Sequence, residues 1–209
     1  MIPEILLMVL LCSATISSHM IMAFPPSRGY TKNDLYKPVD YDLMAPLKEM
    51  VMCKGKPPGS PVASFNPGDT VNVSFTGSAR HHGGLCQFAL SYDHDIHFYL
   101  IAEYRYGCPD SSYTWPVKIP DDAPPCSKCT FSWAWVNAVG NREYYMDCAD
   151  ITINGPTQPA SSCGPSCGKF LQVYNFPGFG TLQPQEGYGG PSASKYIPFD
   201  FSCSNSTVQ

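Results

Sequence analysis

The stretch Cys129-Thr130-Phe131-Ser132-Trp133-Ala134-Trp135-Val136 decides how this chain folds. Its large residues fall at every second position. Cys129, Phe131, Trp133 and Trp135 share one face, and Thr130, Ser132 and Ala134 the other. Period-two alternation marks a β-strand, because successive side chains point to opposite sides of the backbone. Aromatic rings crowded on one face need a second layer to cover them. The stretch therefore predicts a strand whose aromatic face lies in a core.

The same texture continues outward. Thr70-Val71-Asn72-Val73-Ser74-Phe75 alternates polar and apolar, and Leu85–Ser91, His97–Tyr104, Tyr113–Ile119 and Ala149–Asn154 read as further strands, with Gly, Pro and Asp between them. The composition agrees: 21 prolines and 17 glycines accompany 13 tyrosines and 11 phenylalanines in 209 residues, a mixture that favours turns and strands over long helices. An all-β antiparallel sandwich is the expected fold. Before the strands, residues 24–70 are rich in Pro, Gly and Asp, and only Asp42 to Met52 reads as one short helix ahead of Cys53. Long loops of this kind tend to form functional surfaces. After Asn154-Gly155-Pro156 the periodicity stops. Residues 156–209 form a Pro/Gly/Ser-rich, cysteine-containing extension that wraps the domain or trails from it.

At the other end, Ile5 to Cys12 is a short apolar run followed by the small polar stretch Ser13 to Ser18. The run is too short to span a bilayer and reads as a secretory signal cleaved after Ser18, although no Lys or Arg precedes it. The expected organisation is a signal peptide at 1–18, a main domain at 19–155 and the extension at 156–209, in a secreted monomer. Secretion suits the ten cysteines, nine of which remain after cleavage: Cys53, Cys86, Cys108, Cys126, Cys129, Cys148, Cys163, Cys167 and Cys203. Cys126-x-x-Cys129, with no second such pair, reads as a local disulfide, and the odd total leaves one thiol over. Asn72-Val73-Ser74 and Asn205-Ser206-Thr207 are glycosylation sequons. The net charge is −4, only 14% of residues are charged and no Lys/Arg cluster occurs. These features argue against a nucleic-acid groove or an anionic membrane surface and point to a neutral partner.

Cleavage after Ser18 exposes His19 at the new terminus, with an α-amino group of pKa near 8 beside its imidazole. Those two nitrogens can chelate one metal ion, and another histidine would complete a three-nitrogen set. His81-His82, in a turn flanked by Gly83-Gly84, offers one; without His19 this pair reads as a solvated turn. Amine and imidazole donors favour Cu(II) among first-row divalent ions. Asp93-His94-Asp95-Ile96-His97 is an alternative cluster, but a strand beginning near His97 would turn its two histidines to opposite faces. Glu143 and Tyr145, two residues apart, face the same side of an extended chain. A carboxylate and a phenol there suit the orientation of an oxygen species near copper; without a metal, Glu143 with Arg142 reads as a surface ion pair. No serine-hydrolase elbow, HExxH, phosphate-binding or dinucleotide motif is present.

Three stretches resemble the lytic polysaccharide monooxygenases, most closely the fungal chitin-active auxiliary-activity family eleven. They are His19-Met20-Ile21-Met22-Ala23; Phe75 through Arg80-His81-His82-Gly83-Gly84-Leu85-Cys86; and Trp133-Ala134-Trp135-Val136-Asn137 running on through Gly140-Asn141-Arg142-Glu143-Tyr144-Tyr145-Met146-Asp147-Cys148-Ala149. The resemblance covers most of 19–155. It implies an immunoglobulin/fibronectin-III-like sandwich with long loops and a flat copper-bearing face. It also implies copper held by His19 and His81, with Tyr145 at the axial position, Ala79 beside the opposite axial face and Glu143 as the outer carboxylate. Disulfides Cys53–Cys148 and Cys86–Cys108 are implied too, while Cys126–Cys129 rests on its spacing. The implied activity uses an external electron donor and O₂ or H₂O₂ to hydroxylate C1 or C4 and so break glycosidic bonds in insoluble chitin or a related β-linked glycan. A non-catalytic secreted copper binder, or a cell-wall polysaccharide-binding protein, on the same scaffold is the other reading.

Overall fold

The computed structural model describes residues 19–30, 40–156, 168–183 and 194–201. The expected signal peptide at 1–18, Cys163, Cys167, Cys203 and the sequon at Asn205 lie outside the described residues. Nine strands run in chain order: β1 Met20–Phe24, β2 Ala63–Phe65, β3 Thr70–Gly77, β4 Gly84–Ser91, β5 Tyr99–Arg105, β6 Thr114–Lys118, β7 Cys126–Asn137, β8 Tyr144–Ile153 and β9 Lys195–Pro198. They form a three-stranded sheet, β1-β3-β6, and a six-stranded sheet, β2-β8-β7-β4-β5-β9. All pairings are antiparallel except the short parallel contact of β2 with β8. Among the described residues, no helix is long and apolar enough to cross a membrane.

The aromatic face of β7 lies where its alternation predicts. Phe131, Trp133 and Trp135 pack with Phe88 and Leu90 of β4 against Met20, Met22, Val73, Phe75 and Trp115 of the small sheet. The other face of β7 is buried as well. Ala134 and Val136 join Leu85, Tyr144, Met146 and Cys148 in a second cluster. Leu47 and Cys53 from the loop ahead of the strands, and Leu182 from the C-terminal extension, cover that face. The large sheet is thus sandwiched on both sides. Small Thr130, Ser132 and Ala134 are small because a covering layer approaches them, not because they meet water.

The stretch Asp42 to Met52 does not make the expected helix. Two 3-10 turns, Tyr41–Met44 and Met52–Gly55, stand in its place. Pro46 has no N–H to give and disfavours helical geometry in the residue before it; Ala45 is extended, with ψ 153°. In the extension, β9 adds to the edge of β5 and Phe170 bridges to Tyr99, so this part of the chain lies along the large sheet. Disulfides join Cys53 to Cys148, Cys86 to Cys108 and Cys126 to Cys129.

Candidate metal centre

One end of the sandwich gathers the start of β1, the end of β3, the start of β4, the end of β7 and the start of β8. The register requires it: Met20 pairs with Gly77, Gly84 with Asn137, and Tyr144 with Val136. His19 precedes β1, His81 lies in the turn between β3 and β4, and Glu143 precedes β8. Pairing of β1 with β3 therefore brings together two histidines far apart in sequence. Their rings stack with centroids 5.3 Å apart, and the ring of Tyr145 lies 5.2 Å from that of His19.

Backbone close to these rings is held from several directions. Gly77 has φ 131°, and a Cβ there would overlap the carbonyl oxygen of His19, so glycine is what lets β1 close on β3 at this point. On the outer edge of β1, the N–H of Met22 donates to Asp147 Oδ2 at 3.0 Å. Asp147 is buried, its carboxyl raised by burial against the counter-pull of Lys54, 3.5 Å away. Lys54 also donates from Nζ to the carbonyl of Leu43. The His81 turn is fixed by Gly83 N–H to Arg80 O at 2.7 Å, by Arg80–Asp110 at 2.6 Å and by the Cys86–Cys108 disulfide that follows it.

The chemistry of the ring atoms is informative. Burial, then the charge of His81, pushes His19 below the usual imidazole value, with Glu143 pulling the other way. That favours the neutral ring, the form with a lone pair to give a metal. His81 Nε2 is buried and has no hydrogen-bond partner. A buried ring nitrogen left unsatisfied costs about 1–3 kcal/mol. A metal ion at this point would satisfy it, and a pair of imidazoles beside a phenol is a donor set that suits copper. Among the described residues no group of three or more His, Cys, Asp or Glu is placed to hold a metal ion.

Tyr145 and Glu143 do meet: the phenol donates to Glu143 Oε2 at 3.0 Å. Burial and the adjacent carboxylate push the phenol above its usual value, so it stays neutral. Its ring is packed on Trp135, centroids 4.8 Å apart. Glu143 Oε1 accepts from Asn141 Nδ2 at 2.9 Å. Arg142 does not pair with Glu143. Its guanidinium donates to the carbonyls of Asn137 at 3.1 Å and Leu182 at 2.7 Å, which ties the C-terminal extension to this corner. His82 is exposed and Ala79 half-buried.

The alternative cluster is arranged differently. β5 begins at Tyr99, so His94 and His97 both lie in the turn before it, and His94 and Asp95 have left-handed backbone. Both carboxylates are already engaged. Asp93 accepts from His97 N and contacts His97 Nδ1 at 2.6 Å, while Asp95 accepts from Arg28 at 2.6 Å and Thr130 at 2.6 Å. Asn137 and Gly77, which shape the site, carry no sequence signal of their own, since their roles depend on partners that only folding brings near.

No family model matches the sequence. The AA11 family lytic polysaccharide monooxygenase A of Aspergillus fumigatus is 38% identical over 161 residues, covering 73% of this chain and 73% of the relative. An AA11 family lytic polysaccharide monooxygenase of Aspergillus oryzae is 32% identical over 168 residues, covering 70% of this chain and 38% of that longer relative. Among solved structures, a cellulose-active polysaccharide monooxygenase from M. thermophila aligns with a TM-score of 0.45 at 18% identity, over 70% of this chain and 81% of that one. On the identity and mutual coverage of the first relative, the chain belongs to the AA11 family of lytic polysaccharide monooxygenases, copper-dependent oxidoreductases that cleave polysaccharides.

Proposed function

We propose that the protein is a secreted enzyme acting on insoluble chitin, in which His19 and His81 would hold copper beside Tyr145. The carrying observation is the stacked His19–His81 pair with the unpartnered, buried Nε2 of His81. In this reading residues 19–155 are the copper-bearing domain, and cleavage after Ser18 gives His19 the amine that completes its chelate. Three disulfides suit an oxidising compartment.

Copper bound there would supply one-electron chemistry toward O₂ or H₂O₂, fed by an external electron donor. The chain's own residues divide the remaining work. His19 and His81 give ring nitrogens; Tyr145, kept neutral, closes one side without offering a strong anionic ligand. Glu143 has one oxygen on the phenol and the other on Asn141, which holds a carboxylate where it can accept a hydrogen bond from an incoming peroxide. Low net charge and the exposed ring of Tyr41 suit a neutral glycan surface better than a charged one.

The test is incubation of the mature, copper-loaded protein with β-chitin and with cellulose, each with and without ascorbate, followed by mass spectrometry of soluble products. Oxidised chito-oligosaccharides that require both copper and ascorbate are expected. Oxidised products from cellulose alone would overturn the chitin assignment. Intact glycans throughout, despite tight copper binding, would point instead to a copper-binding protein without this activity.

A further inference from the structure

We infer that Asn137 is a positioning residue that fixes both halves of the copper site through one side-chain amide; the inference rests on the site assignment proposed above. Asn137 ends β7 and is fully buried. Its Oδ1 accepts from the N–H of Glu143 at 2.8 Å. Its Nδ2 donates to the carbonyls of Val139 at 2.9 Å and Asn141 at 2.8 Å. Both amide protons are thus used across the loop 138–143, along with an acceptor site on the oxygen.

The same loop reaches the His81 turn. Val139 N–H donates to His81 O at 3.2 Å, and Ala138 N–H to Gly83 O at 2.8 Å. Val139 therefore sits between Asn137, through its carbonyl, and His81, through its N–H. On the far side, Asn141 carries the constraint to Glu143 Oε1, whose partner oxygen meets Tyr145. A displacement of the Asn137 amide would be felt by His81 along one branch and by the Glu143–Tyr145 pair along the other. Buried amides that merely close a loop have no such double reach. Outer partners of metal ligands commonly affect affinity by about 10–100-fold.

The experiment compares wild type, Asn137→Ala and Asn137→Asp, each expressed with its own leader, with Asn154→Ala as a control. Asn154 also bonds through its side chain, to Asn66 and Ser64, but lies beyond the other end of β8. In the metal-free protein, Asn137→Ala is expected to lower hydrogen-exchange protection at the Glu143 and Val139 amides and to shift the His81 ring signals. In the copper-loaded protein, Asn137→Ala is expected to weaken Cu(II) binding about tenfold and to change the copper hyperfine coupling seen by electron paramagnetic resonance. Asn137→Asp keeps the acceptor for Glu143 N–H and sets a carboxylate against two carbonyls. It should therefore perturb the His81 signals more than the Glu143 amide, and it provides the readout if the alanine variant does not fold. Asn154→Ala should change melting temperature alone.

A variant with lower melting temperature but unchanged His81 signals, copper affinity and hyperfine coupling would reduce Asn137 to a loop-closing residue. Failure of wild type to bind copper would remove the site assignment instead, and the metal-free signals would still decide the role of Asn137.

Discussion

The loops 78–83 and 92–98 each present two histidines beside acidic and basic side chains, and both are tied to the sandwich, yet only one of them ties in a histidine. In 78–83 the half-buried His81 stacks on His19, its carbonyl is taken by Val139, and the turn is braced by Arg80–Asp110 and by a disulfide. In 92–98 the tie is Asp95, which accepts from Arg28 and from Thr130 of β7, while Asp93 to His97 closes the loop on itself and His94 and His97 face solvent. The second loop has the denser collection of metal-binding residue types. The first holds one of its histidines against partners from elsewhere in the fold. Fixed donors at the end of a rigid sheet make a better metal site than an abundance of donors on a turn.

Exchange of the histidines probes this contrast most strongly. His81→Ala is expected to weaken Cu(II) binding by at least about a hundredfold, since it removes a proposed ligand and not merely an outer partner. His94→Ala and His97→Ala should leave the binding isotherm unchanged. Isothermal titration of the mature protein measures all three. Equal losses from His81→Ala and His97→Ala would erase the distinction between the loops.

The closure of β1 on β3 can be broken without touching a ligand. Gly77→Ala places a methyl against the His19 carbonyl and asks a side chain to adopt φ 131°. A cost of about 2 kcal/mol is expected, a fall of roughly 4–8 °C in melting temperature, accompanied by weaker copper binding because His19 shifts. Differential scanning fluorimetry with and without copper separates the two effects. If the stabilisation by copper matched that of wild type, β1 would not be what presents His19.

Why some of this was legible is clear from particular residues. The β7 alternation succeeds because burial on the sandwich face demands rings at every second position, and that demand is local. Glu143 and Tyr145 could be placed together because an extended backbone puts residues two apart on one side, and the phenol–carboxylate bond follows. β1 was missed for the opposite reason. Met20-Ile21-Met22-Ala23-Phe24 shows no polar alternation, and its outer edge is satisfied by the Asp147 side chain instead of by another strand. β9 was missed because its four residues follow a long aperiodic stretch and need β5 to become a strand. From composition and periodicity alone, nothing joins His19 to His81; a long-range strand pairing does, and the resemblance to a family stood in for it. Asn137 lies inside a quoted motif, yet its three bonds exist only once the loop beyond it has turned back.

The smallest expected effect tests whether charge from outside braces the His81 loop more than the carboxylate at His97 braces the other. Burial works to raise Asp110, but the Ser112 N–H, 2.9 Å away, and Arg80 outweigh it and hold the carboxyl below the ordinary range. A carboxyl lowered by folding adds stability at pH values above its unfolded value, about 3.9, and that stability is lost as pH falls through the lower folded value. Asp110→Asn should therefore cost about 1 kcal/mol at pH 7, discounted for the half-exposed Arg80, and converge on wild type as the medium becomes more acidic than the folded carboxyl. Asp93 is also lowered, again against burial, by the N–H and ring of His97. Its bonds reach only His97 and Ser91 at the loop's edge, so Asp93→Asn should cost less than about 0.5 kcal/mol and leave copper affinity untouched. Urea unfolding of both variants across the acid range measures the two slopes. An Asp110→Asn loss that persists undiminished in acid would assign the brace to packing and not to charge.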